Sequence, residues 1–343
     1  MTKNIKLIKL KLFLSALIIS ASAANIAQAN DELYKNKPFS VGIRGEISKS
    51  DFSFDTPAAN SILKWENMRG RGVGIDLGYK FNDTIEAFGS YTSSTSNGKG
   101  TDDDITNSLE YDETLRFPNE DDQDELGDKM AFLPLSAYSI HKAKGKSKDL
   151  RVGLNIKLFN NASTKISGRL GYFNKKLTQE LNSGKQLVSY LYYRPYQVLS
   201  TLGATRSING LAAKTDSNFS GAIVGFKIDK SFNNDSINSL IVDFYPSVAY
   251  DGDQFWPQRE SQSQRWSLNN ANNKNYGLFV QASHEFKINE SLWFKLYANY
   301  ENIHISKLKE SGYKFNIKGG DKDSATKGNT KYENIVAGIG LSF

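Results

Sequence analysis

Apolar residues alternate regularly with small or charged residues along much of this chain. Between Leu150 and Leu158 apolar side chains take every second position, with Arg151, Asn155 and Lys157 among the residues between them. Side chains on a β-strand point to opposite faces with a period of two, so this segment is predicted to be a strand with one apolar face. No segment after the N-terminal region has about 18 consecutive apolar residues, which excludes a membrane-spanning helix. Such a chain can enter lipid only as a closed β-barrel, because lipid cannot satisfy an open sheet edge.

The first 29 residues have the three parts of a secretory signal peptide. Lysines precede an apolar run at 12–19, and Ala27-Gln28-Ala29 forms a small-x-small cleavage site. The run is shorter than the roughly 20 residues of a spanning helix, which favours cleavage over a transmembrane anchor. We therefore expect a signal peptide at 1–29 and an outer-membrane barrel at 30–343.

Composition excludes several other classes of protein. The chain has no cysteine, so a disulfide scaffold and a thiolate metal site are both excluded. The net charge is +6, and removing the four lysines of the signal peptide leaves 39 basic against 37 acidic residues. That balance gives no basis for nucleic-acid binding. We predict no metal and no other cofactor.

Ten segments carry strand signals, and the connections between them alternate between short and long. Outer-membrane barrels have short periplasmic turns and long outer loops. The predicted fold class is therefore all-β: a transmembrane antiparallel β-barrel of ten strands with both ends in the periplasm. Twelve strands are the alternative, because the apolar stretches 130–140 and 187–199 can form another hairpin or extend existing strands. The short connections are 82–84, 159–163, 229–236 and 287–290, and the long ones are 49–60, 96–147, 181–216, 251–274 and 307–330.

The C-terminal strand alternates from Ile335 to Phe343, the last residue of the chain. An aromatic residue at the end of such a strand resembles the assembly signal of bacterial outer-membrane barrels. This resemblance implies that the barrel-assembly machinery recognises the strand. It also implies a bacterial outer-membrane location, with the barrel in contact with outer-membrane lipid and the long loops outside the cell.

Charged residues on the predicted strands are expected to face the lumen, because a charge facing lipid costs about 2–4 kcal/mol at the midplane. Eight strands enclose a lumen just filled by side chains, and wide aqueous channels appear near sixteen. A ten-stranded lumen is therefore predicted to hold a charged, hydrated network, which makes a rigid support and a poor general pore. The residues expected inside are Asp76, Arg151, Lys157, Arg169, Asp243, Glu285 and Lys295.

Several short segments occur in an order and spacing that point to one family. They are Ser61–Trp65 at the second strand, Gly171-Tyr172 with Lys175-Lys176 and Ser183-Gly184 around the fifth strand, and Asn275-Tyr276 at the eighth. Together they resemble the omptins, which are ten-stranded outer-membrane proteases. The resemblance implies an active site at the outer mouth, where two aspartates of the second loop and an Asp-x-His pair of the fourth activate a water for attack on a peptide bond.

At the positions that match this active site the chain has Asp102, Asp104 and Asp253, which are its catalytic candidates. Phe255 stands where the resemblance requires the histidine. The pair needs an imidazole to take a proton near neutral pH, and phenylalanine cannot accept one. Catalysis is therefore predicted to be impaired. Rescue by His304, or by a carboxylate with a raised pKa, stays open.

Two charged regions add candidate binding sites. Residues 101–128 contain twelve acidic residues and one basic residue. A solvated, self-repelling loop tip, a surface that steers cationic peptides, and a calcium site are the three interpretations. For Lys175 and Lys176 the family resemblance implies contact with lipopolysaccharide phosphate, which lysine binds as a point charge. A position at the lipid–water interface is the other interpretation.

The leading functional prediction is an omptin-like surface barrel, catalytically impaired, that acts through its extracellular loops on a peptide or a host ligand. An active omptin-like endopeptidase and a small porin are the alternatives.

Overall fold

The computed structural model describes residues 38–56, 61–105, 131–132, 136–194, 197–232, 235–257, 262–268, 275–314 and 327–343. The predicted signal peptide lies outside these residues. In the described part no helix is long and apolar enough to cross a membrane. The strands there are β1 (Phe39–Thr56), β2 (Ser61–Lys80), β3 (Ile85–Ile105), β4 (Ala131–Phe132), β5 (Ser136–Asn160), β6 (Thr164–Arg194), β7 (Gln197–Phe232), β8 (Ser236–Tyr245), β9 (Val248–Trp256), β10 (Gln262–Leu268), β11 (Tyr276–Asn289), β12 (Leu292–Lys314) and β13 (Lys327–Ser342).

Antiparallel pairing closes these strands into a ring, in which β13 pairs with both β12 and β1. β8 and β9 share one position beside β7, and β11 and β10 share the next position beside β12. β4 pairs with β6 and continues the line of β5. The described ring therefore has ten positions, which confirms the predicted antiparallel barrel.

One end of the barrel carries the first and the last described residues and the short turns, and we call it the termini end. The opposite end carries the long connections, and we call it the loop end. Near the termini end, apolar side chains at alternate positions face outward, as they do in membrane barrels. Val73 is 69% exposed and Leu158 is 70% exposed. The predicted apolar face is thus confirmed for this half.

The strands continue far into segments predicted as loops. β3 runs to Ile105 and β5 starts at Ser136, while β6 and β7 leave residues 195–196 between them. The predicted loop bounds 96–147 and 181–216 were therefore wrong. The apolar stretches at 136–140 and 187–194 extend barrel strands, so the twelve-stranded alternative is not needed. The connecting tips, including Pro134 and Pro195, lie outside the described residues.

Candidate functional site

The lumen in the termini half is a charged cavity of about 720 Å³. Arg44 hydrogen-bonds Asp76 and, through its other terminal nitrogen, Ser90 at 3.0 Å. On the opposite wall Arg169 donates to Asp243 at 2.8 Å and lies over the ring of Phe88. Asp76, Arg151, Arg169, Glu285 and Lys295 line this cavity, and Asp243 is fully buried against Arg169. The prediction that charged strand residues face a polar lumen is confirmed at these positions.

Four charged side chains, three of them buried and one half-buried, close the cavity on the side of the loop end. Arg151 donates to Glu301 at 2.8 Å and to Asp149 at 2.8 Å. Lys175 lies 2.7 Å from Asp149 and 2.5 Å from Glu301. Because β12 stands five ring positions from β5, these bonds join opposite walls of the barrel. We call the four residues the cross-lumen network.

Beyond the cross-lumen network, the interior of the loop half contains an apolar core. Phe173 and Tyr245 stack at 4.0 Å, and Phe52 packs against Trp65 at 5.3 Å. These side chains are at most 2% exposed, so they fill the lumen as a globular core would. Nine ring positions contribute, and the core includes Phe54, Leu63, Met68, Leu177, Leu181, Phe219, Ile223, Tyr250, Phe279, Ile303, Ile305, Leu308 and Tyr332.

Asp102 faces this interior near the loop end. It pairs in register with Ser139 on β5 and with Leu63 on β2, both of which are buried. Ser139 Oγ lies 2.7 Å from Nε2 of His141, another interior residue that is 4% exposed. Burial lowers the pKa of His141, so the imidazole is neutral near pH 7. The backbone of Asp104 continues β3 in register with Ala137, and its side chain lies outside the described part.

Asp253 lies on the opposite face of its strand from the interior. Gly252 and Gln254 take the buried positions of β9, whereas Asp253 is exposed and pairs in register with Asp216. Successive side chains alternate between faces, so Asp253 points out of the barrel while Asp102 points in. Phe255 shares the outward face of Asp253. The structure therefore places Asp102 and Asp253 on opposite faces of the wall, and their catalytic roles stay predictions.

The two lysines predicted to bind lipopolysaccharide also point in opposite directions. Lys175 is 2% exposed and belongs to the cross-lumen network. Its ammonium group is thus paired inside the barrel with Asp149 and Glu301, and its contact with a lipid phosphate stays a prediction. Lys176 is exposed on the outer face, directly opposite Lys148 of β5. Its lipid contact stays a prediction.

Lysines occupy every second position of β5 above the apolar belt. Lys142, Lys144, Lys146 and Lys148 are all exposed, and the outward apolar series begins at Leu150. The segment was predicted as loop, although its period of two was the signal that would have identified the strand. Ser139 and His141 were missed for the same reason, since only strand register brings them to the face of Asp102.

At the termini end the backbone of Phe343 closes the ring. Its N–H donates to the carbonyl oxygen of Val41 at 2.8 Å, and Val41 N–H donates to the carbonyl oxygen of Phe343 at 3.3 Å. The Phe343 side chain is 53% exposed. Of the acidic block 101–128, only residues 101–105 are described, so the calcium and peptide interpretations lie largely outside the described residues.

No family model matches the chain, and no curated protein matches it in sequence. Among solved structures, the outer membrane protease OmpT from Escherichia coli superposes with a TM-score of 0.62 at 10% identity, over 94% of this chain and 99% of that one. OprG from Pseudomonas aeruginosa gives 0.32 at 11% identity, over 93% and 99%. Ail from Yersinia pestis gives 0.26 at 10% identity, over 90% and 100%. The likeness to the protease shows that the fold is that of an outer-membrane β-barrel.

Proposed function

We propose that the chain is an outer-membrane surface protein with a closed lumen, whose loop end stands outside the cell and contacts molecules there. The apolar core of the loop half carries this proposal. A pore needs a continuous polar path, whereas Phe173, Tyr245 and Trp65 are packed across the lumen with no exposed surface. The cross-lumen network adds a second barrier at the inner edge of that core.

The orientation follows from the two halves of the outer surface. The termini half exposes apolar side chains, which suits lipid, and the loop half exposes lysines, which suits water and head groups. Short turns at the termini end are typical of the periplasmic side. Location in the outer membrane is supported by the barrel fold, this apolar belt and the predicted signal peptide.

Cysteine labelling tests the orientation of the barrel in the membrane without background labelling, because the chain has no native cysteine. Lys144→Cys places a thiol on the loop half, and Asp83→Cys places one in a turn at the termini end. On intact cells a membrane-impermeant maleimide should label the first variant and not the second. Labelling of Asp83→Cys alone would overturn the proposed orientation.

Planar-bilayer recording tests the closed lumen. The wild-type barrel should show no steady unit conductance. A triple variant, Phe173→Ala with Tyr245→Ala and Phe279→Ala, removes core side chains next to the cross-lumen network and serves as an opened control. Steady channels from the wild type would favour the small porin. Channels from the triple variant alone would show that the apolar core is the barrier.

Impaired omptin-type catalysis is part of the proposal, supported by the outward position of Asp253 and by Phe255 at the histidine position. The purified barrel, reconstituted with lipopolysaccharide, should not turn over a dibasic fluorogenic peptide. Phe255→His should also stay inactive, because residue 255 faces away from Asp102. Activity of Phe255→His would contradict this account and indicate that only the base was lost.

An endopeptidase is the second candidate, and the position of His141 favours it. Asp102, Ser139 and His141 share one interior face near the loop end. A neutral imidazole there would take a proton from water or from the Ser139 hydroxyl as the oxygen adds to a peptide carbonyl. Peptide turnover that is lost in both Asp102→Asn and His141→Gln would replace the leading proposal with this one.

Lipopolysaccharide is the lipid partner that we propose for Lys176. Together with Lys148 directly opposite, it forms an exposed cationic pair next to the end of the apolar belt, where head-group phosphates lie. Lys148→Gln with Lys176→Gln should weaken retention of lipopolysaccharide by the purified barrel. Equal retention by the double variant and the wild type would contradict this assignment.

A further inference from the structure

The exposed lysines of β5 extend well beyond the level of lipid head groups. A strand rises about 3.4 Å per residue and barrel strands tilt by roughly 40°. Lys144 is six residues above Leu150, which places it about 16 Å higher along the barrel axis. The head-group layer adds only about 5–8 Å to each side of the hydrocarbon core. Lys148 therefore lies at the phosphates, whereas Lys144 and Lys142 stand above them.

Like charges face each other directly on this upper surface. Lys99 of β3 pairs in register with Lys142 of β5, and both are exposed. Side chains directly opposite have Cβ atoms about 5 Å apart, and like charges in such pairs destabilise a sheet. In the part of the chain that the structure describes, neither lysine has an ion-pair partner. The folded sheet thus bears a repulsion that a bound anion would remove.

Neutral hydrogen-bonding groups surround these lysines. Thr95 and Asn97 are exposed on β3 beside Lys144 and Lys146. Two carboxylates adjoin this face in register: Glu66 of β2, opposite Lys99, and Glu180 of β6, opposite Lys144. On β3, β5 and β6, the described outward residues at this height include no aromatic side chain on which a nucleotide base would stack. Hydroxyl and amide groups between cations suit sugars that carry repeated anionic groups.

We infer that Lys99, Lys142, Lys144 and Lys146, the lysine patch, bind a sulfated polysaccharide outside the cell. Successive lysines of β5 stand about 7 Å apart along a line, so they can meet several sulfates of one extended chain. Sulfated sugars have the highest charge per length among polysaccharides and stay ionised at every physiological pH. That binding takes place outside the cell rests on the proposed orientation of the loop end. Binding of the polysaccharide by the purified protein does not depend on that orientation.

The test measures binding of fluorescent heparin to the full barrel in nanodiscs of zwitterionic lipid without lipopolysaccharide. Affinity should fall steeply between about 50 and about 300 mM NaCl, because released counterions drive such binding. Lys99→Gln with Lys142→Gln and Lys144→Gln should weaken it about tenfold or more. A control with the same charge change, Lys230→Gln with Lys287→Gln and Lys331→Gln, alters exposed or half-exposed lysines of β7, β11 and β13 that lie outside the lysine patch, and it should bind within about twofold of the wild type.

Three further arms separate the alternatives. Desulfated heparin should not compete, and single-stranded DNA of equal charge should compete poorly. Equal losses in the two triple variants would overturn the lysine patch, since net charge alone would then explain binding. Preference for DNA would overturn the polysaccharide, and binding to lipopolysaccharide with none to heparin would reduce the patch to a lipid contact. Failure in any arm leaves the cysteine-labelling result on orientation unaffected.

Discussion

The cross-lumen network gives the sharpest test of how the interior is held together. Glu301 is 1% exposed, its Oε1 accepts from Arg151 at 2.8 Å and from the Tyr245 hydroxyl at 3.2 Å, and its Oε2 lies 2.5 Å from the Lys175 ammonium. Glu301→Gln keeps the shape of the side chain and removes its charge. Two buried cations would then share Asp149 as their remaining carboxylate.

Removing one partner of a buried ion pair costs about 3–5 kcal/mol, because the charge left behind has no counter-charge and little water. We expect a loss of that size in the free energy of unfolding for Glu301→Gln. Adding Lys175→Met removes the surplus cation and leaves Arg151 paired with Asp149. The double variant should therefore be more stable than the sum of the two single losses predicts, by about 1.5 kcal/mol or more.

Urea unfolding of the barrel in lipid vesicles, followed by fluorescence of the four tryptophans, measures these energies. Lys331→Gln is the matched control, since its ion pair with Glu333 is 3.4 Å long and half-exposed. Such a pair is worth at most about 1 kcal/mol. A Glu301→Gln loss as small as that of the control, or strict additivity in the double variant, would refute the reasoning.

Burial lowers the pKa of His141 below its ordinary 6.5, so the unfolded chain takes up a proton first as the pH falls, and stability should drop below about pH 6.5. Unfolding curves of His141→Gln should show a weaker drop, and an identical pH dependence would contradict this. A Cβ at Gly184 would lie 2.4 Å from His141 Nδ1 and from the Ile140 carbonyl oxygen, so Gly184→Ala should cost about 2 kcal/mol. Gly45→Ala, where nothing lies within 4 Å, should stay within about 0.5 kcal/mol. Phe343→Ala should slow assembly in cells while changing the stability of the folded barrel by at most about 0.5 kcal/mol, since only backbone atoms of Phe343 bond Val41.

The strand count could be predicted from sequence, and so could the residues of the termini half that face outward or inward, because both depend on local alternation. Leu150 to Leu158 read correctly as one lipid-facing series, and the inward charges followed from the cost of burying them in lipid. Site residues could not be predicted in the same way. Asp253 was chosen because it fits the aspartate of the Asp-x-His pattern in the fourth loop, and such a match does not say which face of a strand a residue occupies. One step of register separates Lys175 inside from Lys176 outside.

The height of the barrel was missed because the alternation changes sign at Asp149 and Leu150. Below this point apolar residues face out and charged residues face in. Above it Lys148, Lys146 and Lys144 face out, while Ala143 and the aromatic residues of other strands face in. The period of two continues unbroken, but its polarity reverses because the medium outside changes from lipid to water. A wall that turns its apolar face inward must bury that face, and the lumen is the one space available. The same reversal therefore packs apolar side chains into the lumen and exposes the lysines, which makes the apolar core and the cationic outer surface two consequences of one pattern.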